Sequence, residues 1–471
     1  MLERRSGAGA AHLGDGGMYI DPANRYTKSE RWRLRGTYLL YQVLIHLFLP
    51  VFLIVLLLRT RKEPLYGTRW WNRFGFLGPR TRGRVFVFAA SLGETRAATP
   101  VIHALLARGE DILLTHSSAA GLAEARRAFP EEIATGRIVS GYVPFDLFWA
   151  LALFYSWHRP RLGLVVEAEL WPAMLMQAWW AKIPMFQING NYTERGFHRD
   201  SSRFGGVRLL FWRLYQGILT KSRERADRYL AAGMPAESVQ LVGELKFDQR
   251  QKEDQIAAAA SLLAAHPTGG PVFGIASSIE GEEEALFRVV EALRAKVSPP
   301  PRIVWVPRSP QRFAAVCDAL NARGIQAAPR STLLGAAFEP EAGFDWPEVL
   351  VGDSIGEMDF YYSLCDLVFV GATLHPMGGH NIIEPLALNK PVVTGPSIHG
   401  ILYPALEAIE AGAMRKYENE KDLTEDLVSL FRNVENLQAF TAKTGGFHAQ
   451  HRGAAARTVA VLAPWLEGKD G

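Results

Sequence analysis

The sequence predicts an α/β fold, with two parallel-sheet domains in succession and one apolar helix ahead of them. Three observations carry that expectation. Short apolar runs alternate with longer helical stretches, and after a polar, Ala-rich interval the alternation starts again. Polar and charged residues gather just after the apolar runs, where open α/β sheets hold ligands. Near the start, Thr37 to Leu58 offers about 20 apolar or uncharged residues, the length that crosses a hydrocarbon core. At 471 residues the chain is long enough for two such domains and more.

Composition narrows the class. A hydrophobic content of 48% with 21% charged residues fits a globular protein carrying an added apolar segment. A net charge of +4 is too small to argue for a nucleic-acid partner. Several of the 12 tryptophans lie near the apolar segment, and amphipathic rings settle at membrane interfaces. Cys317 and Cys365 lie far apart, form neither a metal nor a disulfide spacing, and read as buried thiols in a reducing compartment.

Taken in order, residues 1–36 read as a loose extension, rich in Gly, Ala and polar residues over its first 27 or so positions. Residues 37–58 read as a membrane anchor, interrupted by Gln42, His46 and Pro50. The run is too long for a cleavable signal, and no small-residue cleavage site follows. Lys28, Arg31, Arg33 and Arg35 precede it; Arg59, Arg61 and Lys62 follow. With cations on both sides, the positive-inside rule assigns no orientation. Arg69, Arg73, Arg80, Arg82 and Arg84 extend a basic collar suited to anionic head groups.

Residues 63–248 form the first α/β domain. Strands are expected at Val85 to Ala90, Asp111 to Thr115, Ile138 to Val143, Leu162 to Val166, Ile183 to Ile188 and Gln240 to Gly243. A helix is expected from Glu94 through Leu106. Residues 249–270 read as an interdomain connection. The second domain, 271–435, has apolar runs at Val272 to Ala276, Arg302 to Val306, Val349 to Val351, Asp366 to Gly371 and Pro391 to Thr394. Residues 436–471 read as a helical segment that packs back across the domains.

Several residues after these strands have chemical and structural readings that stand side by side. Gly378 and Gly379, between a strand and a short helical run, place backbone N–H groups where an anion can approach. Asn381 and Glu384 either meet a ligand there or form a capping box. Glu94 either takes a proton from an acceptor hydroxyl or complements the helix dipole. Glu167 and Glu169 alternate after a strand, and two close carboxylates call for a base, a cation, a metal or a glycosidic substrate. No His or Cys cluster supports the metal. Arg308 and Arg312 suit phosphate or a surface ion pair, the latter preferred for Arg312. Lys246 either stands beside a leaving phosphate or is solvated.

Together these motifs resemble a known family. Ser91-x-Gly-Glu94, Glu167-x-Glu-Leu-Trp-Pro172, Leu-Lys246-Phe-Asp248, Pro307-Arg308, Gly356-Glu357 and Gly-Gly-His-Asn381-x-x-Glu384 occur in the order seen in the Kdo transferase (WaaA/KdtA) family of lipopolysaccharide synthesis. The resemblance spans roughly residues 37 to 460. It implies a GT-B glycosyltransferase, two Rossmann-like domains facing a cleft, and an inverting transfer. The implied reaction moves 3-deoxy-D-manno-octulosonate (Kdo) from CMP-Kdo to an anionic lipid A precursor of the lipid IVA type. The implied place is the cytoplasmic face of the bacterial inner membrane. By the same resemblance Glu94 is the base, and Glu167 and Lys246 stabilise the transition state. Pro307, Arg308, Gly356, Glu357, Met358, Asn381, Ile382, Ile383 and Glu384 fall on nucleotide-binding positions. The resemblance implies neither a metal nor a cofactor beyond the donor. This sequence departs from the family pattern at Phe88, Ala173, Asn191, Ile279 and Ser309, mostly by losing polar or cationic groups. Those departures leave room for another sugar or lipid acceptor, or for an inactive scaffold.

Overall fold

A computed structural model describes residues 19–467. They divide into two compact units. Unit 1 runs to Gln249 and takes up the chain again at Gly453; unit 2 is Arg250–Arg452. Residues 1–18 of the expected loose extension, and 468–471 of the C-terminal segment, lie outside the described residues.

Unit 1 is built on a seven-stranded, all-parallel sheet. Its strands are β1 (Val85–Phe88), β2 (Ile112–His116), β3 (Ile138–Tyr142), β4 (Leu162–Val166), β5 (Met185–Gly190), β6 (Gly217–Thr220) and β7 (Val239–Leu241). They lie in the order β3-β2-β1-β4-β5-β6-β7. Every residue of β1 and β4 is buried, which is why these strands read as continuous apolar runs. Unit 2 repeats the plan with β8 (Val272–Ser278), β9 (Arg302–Pro307), β10 (Ala327–Pro329), β11 (Val349–Val351), β12 (Leu367–Val370), β13 (Val392–Thr394) and β14 (Met414–Lys416). Their order is β10-β11-β9-β8-β12-β13-β14. Both are doubly wound, Rossmann-like sheets, as GT-B enzymes have. Strand order reverses between β1 and β4 in unit 1 and between β8 and β12 in unit 2, and such reversals open the crevice where ligands sit.

The sequence does not announce β6, β10 or β14. Each is three or four residues long and carries Gly, Pro or charge. Pairing to a neighbour, not an apolar run, makes them strands. Two boundaries also differ from expectation. The stretch 249–270 is no open connection: it contains the helix Glu253–Ala265, which belongs to unit 2. Lys252 N–H donates to Asp359 Oδ2 (2.8 Å) and Gln255 Nε2 to the Gly356 carbonyl (3.0 Å), so the segment is folded onto its own unit from the start.

The C-terminal segment is divided between the units. Helix Val434–His451 stays with unit 2, and only helix Ala454–Glu467 returns to unit 1. Asp248 accepts the N–H groups of Gly453 and Ala455, both at 2.6 Å, and so caps the returning helix. Leu462 and Leu466 then join Val101 and Leu105 in the core.

The apolar helix starts earlier than the apolar run, at Lys28, and ends at Lys62. Thr27 Oγ1 accepts Glu30 N–H (3.2 Å) while Glu30 accepts Thr27 N–H (2.9 Å), a reciprocal cap that nucleates the helix inside the expected extension. Among the described residues it is the one helix long and apolar enough to cross a membrane, by length and composition.

Candidate active site

In unit 1 the chain leaves β1 through Ala89-Ala90 and enters helix Leu92–Ala107 with Ser91 as its N-cap. Ser91 Oγ accepts Glu94 N–H at 3.3 Å. The Glu94 carboxylate reaches back, accepting Ala90 N–H at 2.6 Å and Ser91 Oγ–H at 3.2 Å. The capping geometry is what holds Glu94 at the carboxyl end of β1, so its structural and chemical readings coincide. Burial, then the charges of Glu169 and Glu167, raise its pKa to about 7.

Glu167 follows β4 with φ +60°, a left-handed turn that a non-glycine residue adopts only when held there. Its N–H donates to the Ile188 carbonyl of β5 (2.9 Å). Glu169 is fixed separately: its carboxylate accepts Trp171 Nε1–H at 2.6 Å and its carbonyl accepts Tyr215 O–H at 2.8 Å. Trp171 in turn meets the buried Phe88 edge to face, with ring centroids 5.0 Å apart. Phe88, one of the departures from the family pattern, therefore packs behind this turn.

Lys246 Nζ lies 3.9 Å from Glu167 Oε1. It stands on a turn secured at several points. Glu244 pairs with Lys221 at 2.8 Å and also accepts Lys246 N–H at 3.3 Å. Asn189 Oδ1 accepts Leu245 N–H at 3.1 Å. Burial works to raise the Glu244 pKa, but Lys221 and Lys246 prevail and hold the carboxyl below its ordinary range. Unit 1 thus brings together three of the expected groups, Glu94, Glu167 and Lys246, with Glu169 added. Among the described residues no three His, Cys, Asp or Glu side chains group in a way that would hold a metal ion.

Unit 2 repeats the Gly-Glu pair after its own first strand, as Gly281-Glu282, but in a different role. Glu282 is 1% exposed. Its carboxylate accepts the N–H groups of Ile279 (3.1 Å), Ala372 (2.7 Å), Thr373 (3.2 Å) and Leu374 (3.3 Å). Burial raises its pKa against the pull of those four amides. Glu282 ties the loop after β8 to the loop after β12. A Cβ at Gly371 would lie 2.5 Å from its Oε1, so the strand must end in glycine there. The repeat of Gly-Glu after each first strand was visible in the sequence, though not what each carboxylate does.

The glycine pair does not form the anion cradle its position implies. Gly378 N–H donates to Ser397 Oγ (2.9 Å) and Gly379 N–H to the Ala372 carbonyl (2.8 Å), so both amides are turned inward. Both residues have positive φ, +94° and +88°. A Cβ on Gly378 would lie 2.7 Å from His399 Nε2, and one on Gly379 2.8 Å from Ile401 Cδ1. The glycines are there to let the loop at 397–401 cross closely. The capping-box alternative changes too. The helix is only Ile383–Ala387, its N-cap is Ile382, and Asn381 Oδ1 accepts Ile383 N–H at 3.0 Å. The side chains of Ile382 and Ile383 are buried, leaving only their backbone to meet a ligand.

Pro307 ends β9, and Arg308 N–H donates to the Ser278 carbonyl at 2.9 Å, fixing Arg308 beside the end of β8. Its side chain is exposed. The Arg308 charge is felt at His380, whose pKa is lowered by burial first and Arg308 second. It is also felt at Tyr362, together with that of Glu384. Tyr362 rides on helix Met358–Leu364, so this short helix links the Gly356 turn to Arg308 and Glu384. Glu357 faces an internal network instead, with Arg330 Nε at 3.3 Å and Tyr361 O–H at 3.4 Å. Gly356, at φ +85°, offers its carbonyl to Lys252 and Gln255. Arg312 is held by Glu283, Nε to Oε1 3.3 Å, in an ion pair as expected, although the Glu283 carboxylate is buried and not on the surface.

Comparison with known proteins converges on one family. Residues 68–249 match the family model described as 3-deoxy-D-manno-octulosonic-acid transferase (kdotransferase). The chain is 35% identical over 400 residues to 3-deoxy-D-manno-octulosonic acid transferase of Bordetella pertussis, covering 84% of this chain and 91% of that one. To the Haemophilus influenzae protein of the same description it is 29% identical over 436 residues, covering 91% and 98%. Among solved structures, UDP-GlcNAc 2-epimerase from Neisseria meningitidis shares the fold, with TM-score 0.53 and 14% identity over 81% of this chain and 99% of that one.

Proposed function

This chain belongs to the 3-deoxy-D-manno-octulosonic acid (Kdo) transferase family, and from that premise we propose that it transfers Kdo from CMP-Kdo to a lipid A precursor of the lipid IVA type. One observation carries the mechanism: a half-buried carboxylate, Glu94, held at the end of β1 with a pKa near neutrality. An alcohol is a poor nucleophile unless its proton leaves as its oxygen attacks. In the proposed step Glu94 takes that proton, and the acceptor oxygen bonds to the anomeric carbon of Kdo. The bond from that carbon to the phosphate oxygen breaks, and its electron pair departs with CMP. One displacement inverts the centre and needs no covalent enzyme intermediate.

Glu167 and Lys246 act on the developing charge, with their 3.9 Å contact fixing the ammonium at the site. Arg308 and Glu384, around Tyr362, are assigned to the nucleotide: the guanidinium to phosphate and the carboxylate to ribose hydroxyls. The backbone at Gly356–Met358 and at 381–383 completes that assignment, the Glu357 side chain being held by Arg330 and Tyr361. The catalytic units belong at the cytoplasmic face of the inner membrane, where an activated donor is made, with the apolar helix as anchor. The raised pKa of Glu94, set first by burial and then by Glu169 and Glu167, supports an active enzyme over an inactive scaffold.

The test is incubation with CMP-Kdo and a tetraacylated precursor, read by mass spectrometry. An acceptor heavier by one or more Kdo residues is the expected result. An unchanged acceptor, with protein that still binds CMP, would point to a different sugar or lipid.

A further inference from the structure

The apolar helix packs on the rest of unit 1 near both its ends, and its middle is largely exposed. From Leu34 through Tyr38, Gln42, Leu49 and Leu56 to Thr60, one stripe at i, i+3 and i+4 spacing is buried or half-buried, while Leu47, Val51, Val55 and Leu58 face outward. Polar ties secure the stripe. Arg33 Nη2 donates to the Gly205 carbonyl at 2.7 Å, and Tyr41 O–H to Asp146 Oδ2 at 2.8 Å. Gln42 bridges the Asp146 carbonyl (3.1 Å) and Phe148 N–H (2.9 Å), and Trp149 Nε1–H reaches His46 (3.1 Å). At the far end Leu56 packs with Tyr66 and Ala119.

At ~1.5 Å rise per residue, Leu34 to Leu56 covers about 33 Å. That is at least the ~30 Å of a hydrocarbon core. Unit 1 meets the helix near both ends of that length, at Asp146 and Phe148 beside Gln42 and at Ala119 beside Leu56, so a helix crossing the bilayer would draw part of unit 1 across with it. The polar side chains and loops of a folded α/β unit have no place in hydrocarbon. Charge agrees: Lys28, Arg33 and Arg35 lie at one end, and Arg59, Arg61 and Lys62 at the other. Trp32 and Trp71, 78% and 72% exposed, add an interfacial ring near each end. A symmetric basic pattern defeats a topology rule for spanning helices and gives a helix lying along the membrane surface a cationic contact with anionic lipid at each end.

We propose that helix Lys28–Lys62 lies along one leaflet of an anionic membrane, unit 1 against one side and lipid against the rest, so that both its ends remain on the side of unit 1. The proposal rests on the membrane reading above. It is tested with the full chain in sealed inverted inner-membrane vesicles, carrying Ser29→Cys or Lys62→Cys, both at exposed positions. The native thiols, Cys317 and Cys365, are buried and give the labelling background. Retained CMP release from CMP-Kdo reports that each variant is folded. A membrane-impermeant maleimide should label both positions to the same extent without detergent. If one position reacts only after detergent, the helix crosses and the proposal fails while the membrane reading stands. Recovery of the protein in the soluble fraction would remove the membrane reading and the proposal with it.

Discussion

Glu94 owes its proton affinity to its surroundings, and that has consequences for both rate and stability. Burial and the charges of Glu169 and Glu167 lift it from 4.5 to about 7. As a base it works only when ionised, so kcat/KM should fall about tenfold per pH unit below that value and level off above it. A pH profile checks this; a flat profile between pH 5 and 7 would exclude Glu94 as the base. The stability effect has the opposite sense. The folded chain binds this proton more tightly than the unfolded chain does, so stability is complete below pH 4.5 and declines as pH rises through 7. The gap corresponds to ~3 kcal/mol. Glu94→Gln should therefore raise stability at pH 8 by up to that amount and leave it unchanged at pH 4, as measured by denaturant unfolding at the two pH values. The variant should be more stable than the wild type and inactive.

At this scale the sequence shows which residues matter more readily than what they do. Glu94, Glu167 and Lys246 are visible as polar residues after apolar runs, and they do converge. Glu282 looks like a copy of Glu94, yet four amides engage it, because the loop that supplies three of them lies some 90 residues downstream. The glycine pair is legible as glycine, but the loop at 397–401 that requires it is not.

Elements decide how firmly those residues are held. The Lys246 turn is fixed by the buried Lys221–Glu244 pair, at 7% and 2% side-chain exposure, at the ends of β6 and β7. Glu244→Ala strands an ammonium in the core and should cost ~3–5 kcal/mol. The double variant Lys221→Met, Glu244→Gln removes both charges and should recover most of that loss. Urea unfolding of the three proteins decides it, and equal stability of the single and double variants would show that the charge pairing is not what matters. Long buried strands such as β4 and β8 can be read directly from their apolar runs. β6, which supplies Lys221 at its end, cannot, because it is four residues long and begins with glycine. The helix Glu253–Ala265 was hidden for another reason: its alanines and polar residues look like a connection until it packs against helix Met358–Leu364.

At the scale of the whole molecule, two Rossmann-like units and an apolar helix with basic ends combine chemistry with a place to do it. Two seven-stranded parallel sheets, alike except that the fourth strand of unit 2 lies between its second and third, place the unit 1 groups and the Arg308 group at a strand-order reversal in each, and the restart of the α/β pattern in the sequence made that duplication legible. The unit boundary was less so, since the chain recrosses it at Gly453. The cations at the two helix ends should contribute alike to membrane binding. Arg35→Gln and Arg61→Gln, both at exposed sites, should each weaken binding to anionic vesicles by about 1 kcal/mol, an effect that fades with salt. Vesicle co-sedimentation measures this, and a loss confined to one end would argue that the helix does not present both ends to the same surface.

The central claim is that Glu94 drives Kdo transfer to a lipid acceptor, and it is met most directly by CMP release from CMP-Kdo, with and without a tetraacylated lipid A precursor, in the wild type and in Glu94→Gln. The account predicts release that depends on the acceptor in the wild type and is abolished in the variant, which still binds CMP. Release that is unaffected by Glu94→Gln, or that proceeds equally without acceptor, would contradict it.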